Sequence, residues 1–137
     1  ITELLPDGYS FTHRPRSSQR GGGVALVHKD TIKVKTFQNH ASYSSFEYMQ
    51  CSIHLQRLTL HVFIVYRPPS ARISSHVFIE EFGDLSHTVR STGHLLFLGD
   101  FNSHVDDAVD GNASRFMSLL QTFSLKQHVQ QSSQSHK

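Results

Sequence analysis

Leu58-Thr59-Leu60-His61-Val62-Phe63-Ile64-Val65 runs straight into Tyr66-Arg67-Pro68-Pro69. The first eight residues are mostly β-branched or aromatic and read as a strand. The two prolines then end it, because proline has no N–H for a ladder and restricts the residue before it to extended geometry. A phenol, Tyr66, and a guanidinium, Arg67, therefore stand where a strand leaves its sheet. Upstream, Phe46 to His54 has a similar character, and Gln56-Arg57 makes a hairpin turn between the two runs. Downstream, Ser74 or Ser75 is placed to cap a helix through about Ser91. Its apolar residues Val77, Phe78, Phe82, Leu85 and Val89 mostly recur at helical spacing.

A second strand exit follows. Leu95-Leu96-Phe97 leads into Leu98-Gly99-Asp100-Phe101-Asn102, so a strand from His94 to Gly99 ends in a carboxylate and a carboxamide two residues apart. If the chain stays extended, Asp100 and Asn102 face the same way. An acceptor-only group beside a donor/acceptor group can position a water and a phosphate oxygen, or bind a hard cation such as Mg2+. Such placements at a strand's C-terminal end are common functional ones in α/β proteins. The structural alternative is turn chemistry, which Asp and Asn also favour. For Tyr66-Arg67 the structural alternative is an ordinary edge feature, against a fork-shaped phosphate contact steadied by a phenol.

Residues 12 to 20 form a basic, Ser-rich loop in which Arg14, Arg16 and Arg20 are candidate contacts for a phosphate backbone. Gly21-Gly22-Gly23 leads into a strand from Val24 to His28. No helix and no Gly-Lys-Ser/Thr follows, so a phosphate-cradling loop is disfavoured. Thr31 to Thr36 alternates and is expected to pair with Val24 to His28 across Lys29-Asp30. A last helix is expected from about Ala113 to Phe123, with Phe116, Leu119, Leu120 and Phe123 on one face. Residues 130 to 137 are polar and expected to fray. Hairpins plus a helical crossover suggest an α/β class, a mixed α/β sandwich. The expected core includes Phe63, Val65, Phe82, Leu96, Leu98 and Phe116.

Composition limits the function classes. Hydrophobic residues make up 37% and charged residues 18% of the 137-residue chain, which signals neither disorder nor a membrane protein. The single cysteine, Cys51, excludes an internal disulfide framework and fits a reducing compartment. A net charge of +2 permits a nucleic-acid partner without demanding one. Eleven histidines are scattered, with no zinc-type spacing. No run reaches membrane-spanning length.

Taken in order, the two strand exits and several shorter stretches resemble an endonuclease/exonuclease/phosphatase domain, of the apurinic-like kind that precedes reverse transcriptase in non-LTR (LINE-like) retrotransposons. The matching residues are Leu5-Pro6-Asp7-Gly8-Tyr9-Ser10-Phe11, Arg20-Gly21-Gly22-Gly23-Val24-Ala25-Leu26, Phe46-Glu47-Tyr48, Val65-Tyr66-Arg67-Pro68-Pro69 and Phe78-Ile79-Glu80-Glu81-Phe82. They continue with Leu98-Gly99-Asp100-Phe101-Asn102, His104-Val105-Asp106, and Phe123-Ser124-Leu125-Lys126-Gln127-His128-Val129. Their order and spacing carry the likeness. No single one does.

The resemblance implies a two-sheet mixed α/β sandwich flanked by helices, incomplete, with residues 1-137 as one partial domain, and it implies roles. Asp100 is expected to orient or deprotonate the attacking water. Asn102 is expected to contact the scissile phosphate or a metal's shell, so Asp100 and Asn102 are also a partial metal set for Mg2+. Tyr66 is expected to steady the phosphate in the transition state, and Arg67 to contact the phosphate. DNA is the implied partner, with no small-molecule cofactor, no membrane, and a nuclear or cytoplasmic, intracellular setting. The family also carries an Asn and a metal-binding Glu on its first strands and ends on a Ser-Asp-His-like strand. Glu3 lies too close to Pro6-Asp7-Gly8 to serve as that Glu and reads as a surface residue. His136 resembles an intermediate Thr-His segment rather than the terminal His. The chain is thus expected to be a piece lacking both ends of the domain and impaired in isolation. Two alternatives remain: a non-catalytic transposon-derived remnant, and a phosphatase of the same superfamily.

Overall fold

In a computed structural model, the chain is described at residues 5–15, 23–37, 42–69, 74–89, 94–102 and 111–128. The elements in chain order are β1 (Tyr9–Pro15), β2 (Gly23–Lys29), β3 (Lys33–Thr36), β4 (Glu47–His54), β5 (Thr59–Tyr66), α1 (Ser75–Thr88), β6 (His94–Asp100) and α2 (Gly111–Thr122). β1 and β2 form an antiparallel pair, and the second sheet has the order β3-β4-β5-β6. The fold is mixed α/β, as the strand and helix patterns indicate. Two compact units divide it: Ile1–Pro68 with Ser91–Phe101, and Pro69–Arg90 with Asn102–Lys137.

The first unit holds both sheets. The β4–β5 hairpin forms as its sequence demands, with Cys51 opposite Val62 and Gln50 opposite Phe63. β6 joins β5 in parallel, and Phe63 pairs with Phe97. Parallel neighbours need a long connection, and here residues 67 to 93, including α1, provide it. β2 packs against β4 and β5, stacking the small sheet on the large one. In the centre of β5 the neighbours Val62 and Phe63 are 1% and 0% exposed, so both faces of this strand are covered. Phe63 stacks on Phe97 at 4.9 Å and faces Tyr48 at 6.5 Å.

Three expectations are corrected here. Residues 12 to 15 are not loop but the second half of β1, and β2 pairs with β1 rather than with residues 31 to 36. β3 pairs instead with β4, Val34 opposite Ile53. The reason is the length of the ladder. A seven-residue register from Tyr9↔Lys29 to Pro15↔Gly23 satisfies more backbone groups than the four residues of β3 offer. The pairing runs one bond further, the Gly8 carbonyl accepting from the Asp30 N–H at 2.9 Å, and Ser10 Oγ donates to the Asp30 carboxylate. Gly8, at φ +85°, makes the turn before β1, in which the Tyr9 N–H donates to the Pro6 carbonyl at 3.3 Å. The third correction concerns β6. Leu98 is 42% exposed and Leu96 is only half-buried, because no described strand lies on the far side of β6.

The second unit is a helix pair. Ser74 caps α1, accepting from the Val77 N–H at 3.3 Å, and α1 buries Phe78, Phe82 and Leu85. α2 contributes Phe116, 5.6 Å from Phe78 and 5.5 Å from Phe82 in an edge-on arrangement. Gly83 allows the approach, since a Cβ there would stand 3.3 Å from a Leu119 methyl. The aromatic residues of both helices are therefore core, as their spacing predicts. The polar stretch 130–137 lies outside the described residues.

Candidate functional site: two parallel strand exits

The parallel register sets Tyr66 directly opposite Asp100. Both are the last residues of their strands, so the phenol and the carboxylate stand on adjacent strands at the same end of the sheet. The ladder runs one bond further: the Arg67 N–H donates to the Asp100 carbonyl at 2.8 Å. Asp100 is exposed and Tyr66 half-buried, which leaves the carboxylate reachable from solvent.

Gly99 explains how the two strands come so close. Its φ is +143°, and a Cβ built there would fall 1.7 Å from the Val65 carbonyl oxygen. Only glycine permits that approach, and it stands within β6 directly before Asp100. The extended geometry stops at Asp100. Asn102 has φ +44°, a left-handed conformation that Asn tolerates better than most residues. Strand alternation therefore does not set the direction of the Asn102 side chain. Asn102 is also the first residue of the second unit in this part of the chain.

Arg67 is the most informative residue for site chemistry. It is 8% exposed, and its Nη1 donates to the Phe101 carbonyl at 3.5 Å, a long bond. Burial lowers the Arg67 guanidinium's pKa from the usual arginine value. Its sequence position beside Tyr66 was legible, but its burial was not.

The other candidate contacts separate in the same way. Arg14 belongs to β1, donates from Nη1 to the Tyr48 carbonyl at 2.8 Å, and stacks its guanidinium 5.7 Å from the Tyr48 ring. It is therefore engaged inside the first unit instead of projecting from a loop. Arg16, Arg20, Glu3, His104, Asp106 and His136 lie outside the described residues. Cys51 is fully buried, and burial pushes its thiol pKa up.

Among the described residues, no three His, Cys, Asp or Glu side chains are grouped to hold a metal ion. Mg2+ keeps several of its waters and is commonly held by one or two carboxylates together with substrate phosphate. The exposed Asp100 carboxylate fits one such place, and the described residues alone do not build a complete cage. No helix among them is long and apolar enough to cross a membrane. No protein-family model matches the chain, and no curated protein sequence does either.

Proposed function

We propose that this chain carries part of a Mg2+-dependent phosphodiesterase site of the apurinic-like endonuclease kind, acting on DNA inside the cell. The observation that carries the reading is the register of Tyr66 on Asp100 at one end of two parallel strands. Hydrolysis adds water across one P–O bond and leaves a phosphomonoester and a hydroxyl. Asp100 orients the attacking water and accepts its proton. Tyr66 donates a hydrogen bond to a non-bridging phosphate oxygen as charge builds there. Asp100 is the described residue of the first unit that would hold the ion, which would supply neutralisation of phosphate charge. One fixed carboxylate is a thin ligand set, so the chain by itself is a weak catalyst in this reading.

The test is conversion of supercoiled plasmid to nicked circle in Mg2+, with circular dichroism confirming a folded sample. The 137-residue chain is compared with versions extended by whatever coding sequence flanks it. Slow, Mg2+-dependent nicking that Asp100→Ala abolishes supports the reading, and extension should speed it. Nicking unaffected by Asp100→Ala, or no nicking by any folded version, overturns it in favour of a non-catalytic chain. Release of phosphate from inositol phosphates in place of nicking would point to the phosphatase alternative.

A further inference from the structure

We infer that Arg67 is a positioning residue, a buried strut that fixes the end of β6 at Asp100 and Phe101, rather than a direct phosphate contact. This rests on the reading of Asp100 as the reacting carboxylate. Three observations carry it. Arg67 is 8% exposed, so little of its guanidinium is open to a ligand as large as a nucleic-acid backbone. At the end of β6 its main-chain N–H donates to the Asp100 carbonyl at 2.8 Å, and its Nη1 donates to the Phe101 carbonyl at 3.5 Å. The backbone there is one that does not form readily unaided, with Gly99 at φ +143° just before Asp100 and Asn102 at φ +44° just after Phe101.

A planar guanidinium is suited to this work. It presents several donors in a rigid fork, one of which reaches the Phe101 carbonyl, while the main-chain N–H of the same residue holds the Asp100 carbonyl. Pro68 and Pro69 follow Arg67, and their fixed φ limits the ways the chain leaves the sheet. The motif Tyr66-Arg67-Pro68-Pro69 then divides its labour. Tyr66 faces the substrate, Arg67 holds the neighbouring strand exit, and the prolines stiffen the departure. A carboxylate that must meet a phosphate within a fraction of an ångström depends on such support.

The role is tested on the full chain with Arg67→Lys and Arg67→Met. The first readout is amide hydrogen exchange at position 67, whose N–H reaches the Asp100 carbonyl, relative to amides in the middle of the β4–β5 ladder. The expected result is at least a tenfold rise in that ratio in both variants, with lysine failing to rescue because it lacks the fork. A ratio unchanged from wild type, or a general loss of stability that speeds both sets of amides together, overturns the proposal. The second readout is the salt dependence of binding to a short DNA duplex. A strut leaves the log–log slope unchanged, whereas a lost phosphate contact reduces it by about 0.9. Nicking of bound DNA should fall in both variants while affinity holds. If no version binds the duplex, the DNA reading fails, and the exchange ratio still decides what Arg67 does.

Discussion

Replacing Gly99 by alanine is the sharpest perturbation of this fold. The added Cβ would lie 1.7 Å from the Val65 carbonyl oxygen and 2.7 Å from its carbon, both backbone atoms that no rotamer change can move aside. Two costs combine. Holding a non-glycine residue at φ +143° costs about 1–3 kcal/mol. Relieving the clash requires β5 and β6 to separate by more than about 1 Å locally, which sacrifices one or two ladder hydrogen bonds at about 1 kcal/mol each. The total is about 2–5 kcal/mol. For a chain of this size each kcal/mol moves the melting temperature by about 3 °C, so Gly99→Ala should melt about 6–15 °C below wild type. Thermal and urea unfolding followed by circular dichroism measure it. Gly8→Ala is the control: its φ is also positive at +85°, but nothing lies within 4 Å of the new methyl. It should lose only about 1–2 kcal/mol. A Gly99→Ala protein within 2 °C of wild type, or one no worse than Gly8→Ala, would refute the close approach of β5 and β6 at Val65, and with it the geometry that aims Asp100.

Phe63→Ala should cost about 3–5 kcal/mol in urea unfolding, because it empties a fully buried site between Tyr48 and Phe97. Leu98→Ala, on the exposed edge of β6, should cost much less than that, and equal losses at the two positions would contradict the burial described. Cys51 should resist thiol reagents in the native protein and react at once in denaturant. Its raised pKa has a definite sign: the folded state keeps the proton longer, so the thiol's contribution is intact below the ordinary thiol range and is lost as pH rises through and above it. Cys51→Ser should flatten that alkaline decline in stability, measured by urea unfolding across pH, and should leave any nicking nearly unchanged.

Local pattern determined much of this protein. The β4–β5 hairpin, the Ser74-capped helix, the second helix and the strand ending at Asp100 all follow from side-chain period, turn residues and proline stops, which act over a few neighbours. That Tyr66 and Asp100 stand at strand ends was legible for the same reason, since each closes an apolar run. The partner of β2 was not legible. Residues 24 to 28 are equally suited to the segment before them and the segment after, and ladder length, a property of two segments at once, chose β1. The exposure of Leu98 reflects the position of β6 in the strand order, which its own apolar sequence does not encode. Arg67 shows the distinction most clearly. Beside a tyrosine and two prolines it reads as a cation offered to phosphate. Only the parallel register of β5 and β6 sets it beside the end of β6, where it is 8% exposed and its Nη1 donates to the Phe101 carbonyl. A side chain's direction at a strand end is set by the neighbouring strand, and that neighbour lies some thirty residues away in the chain.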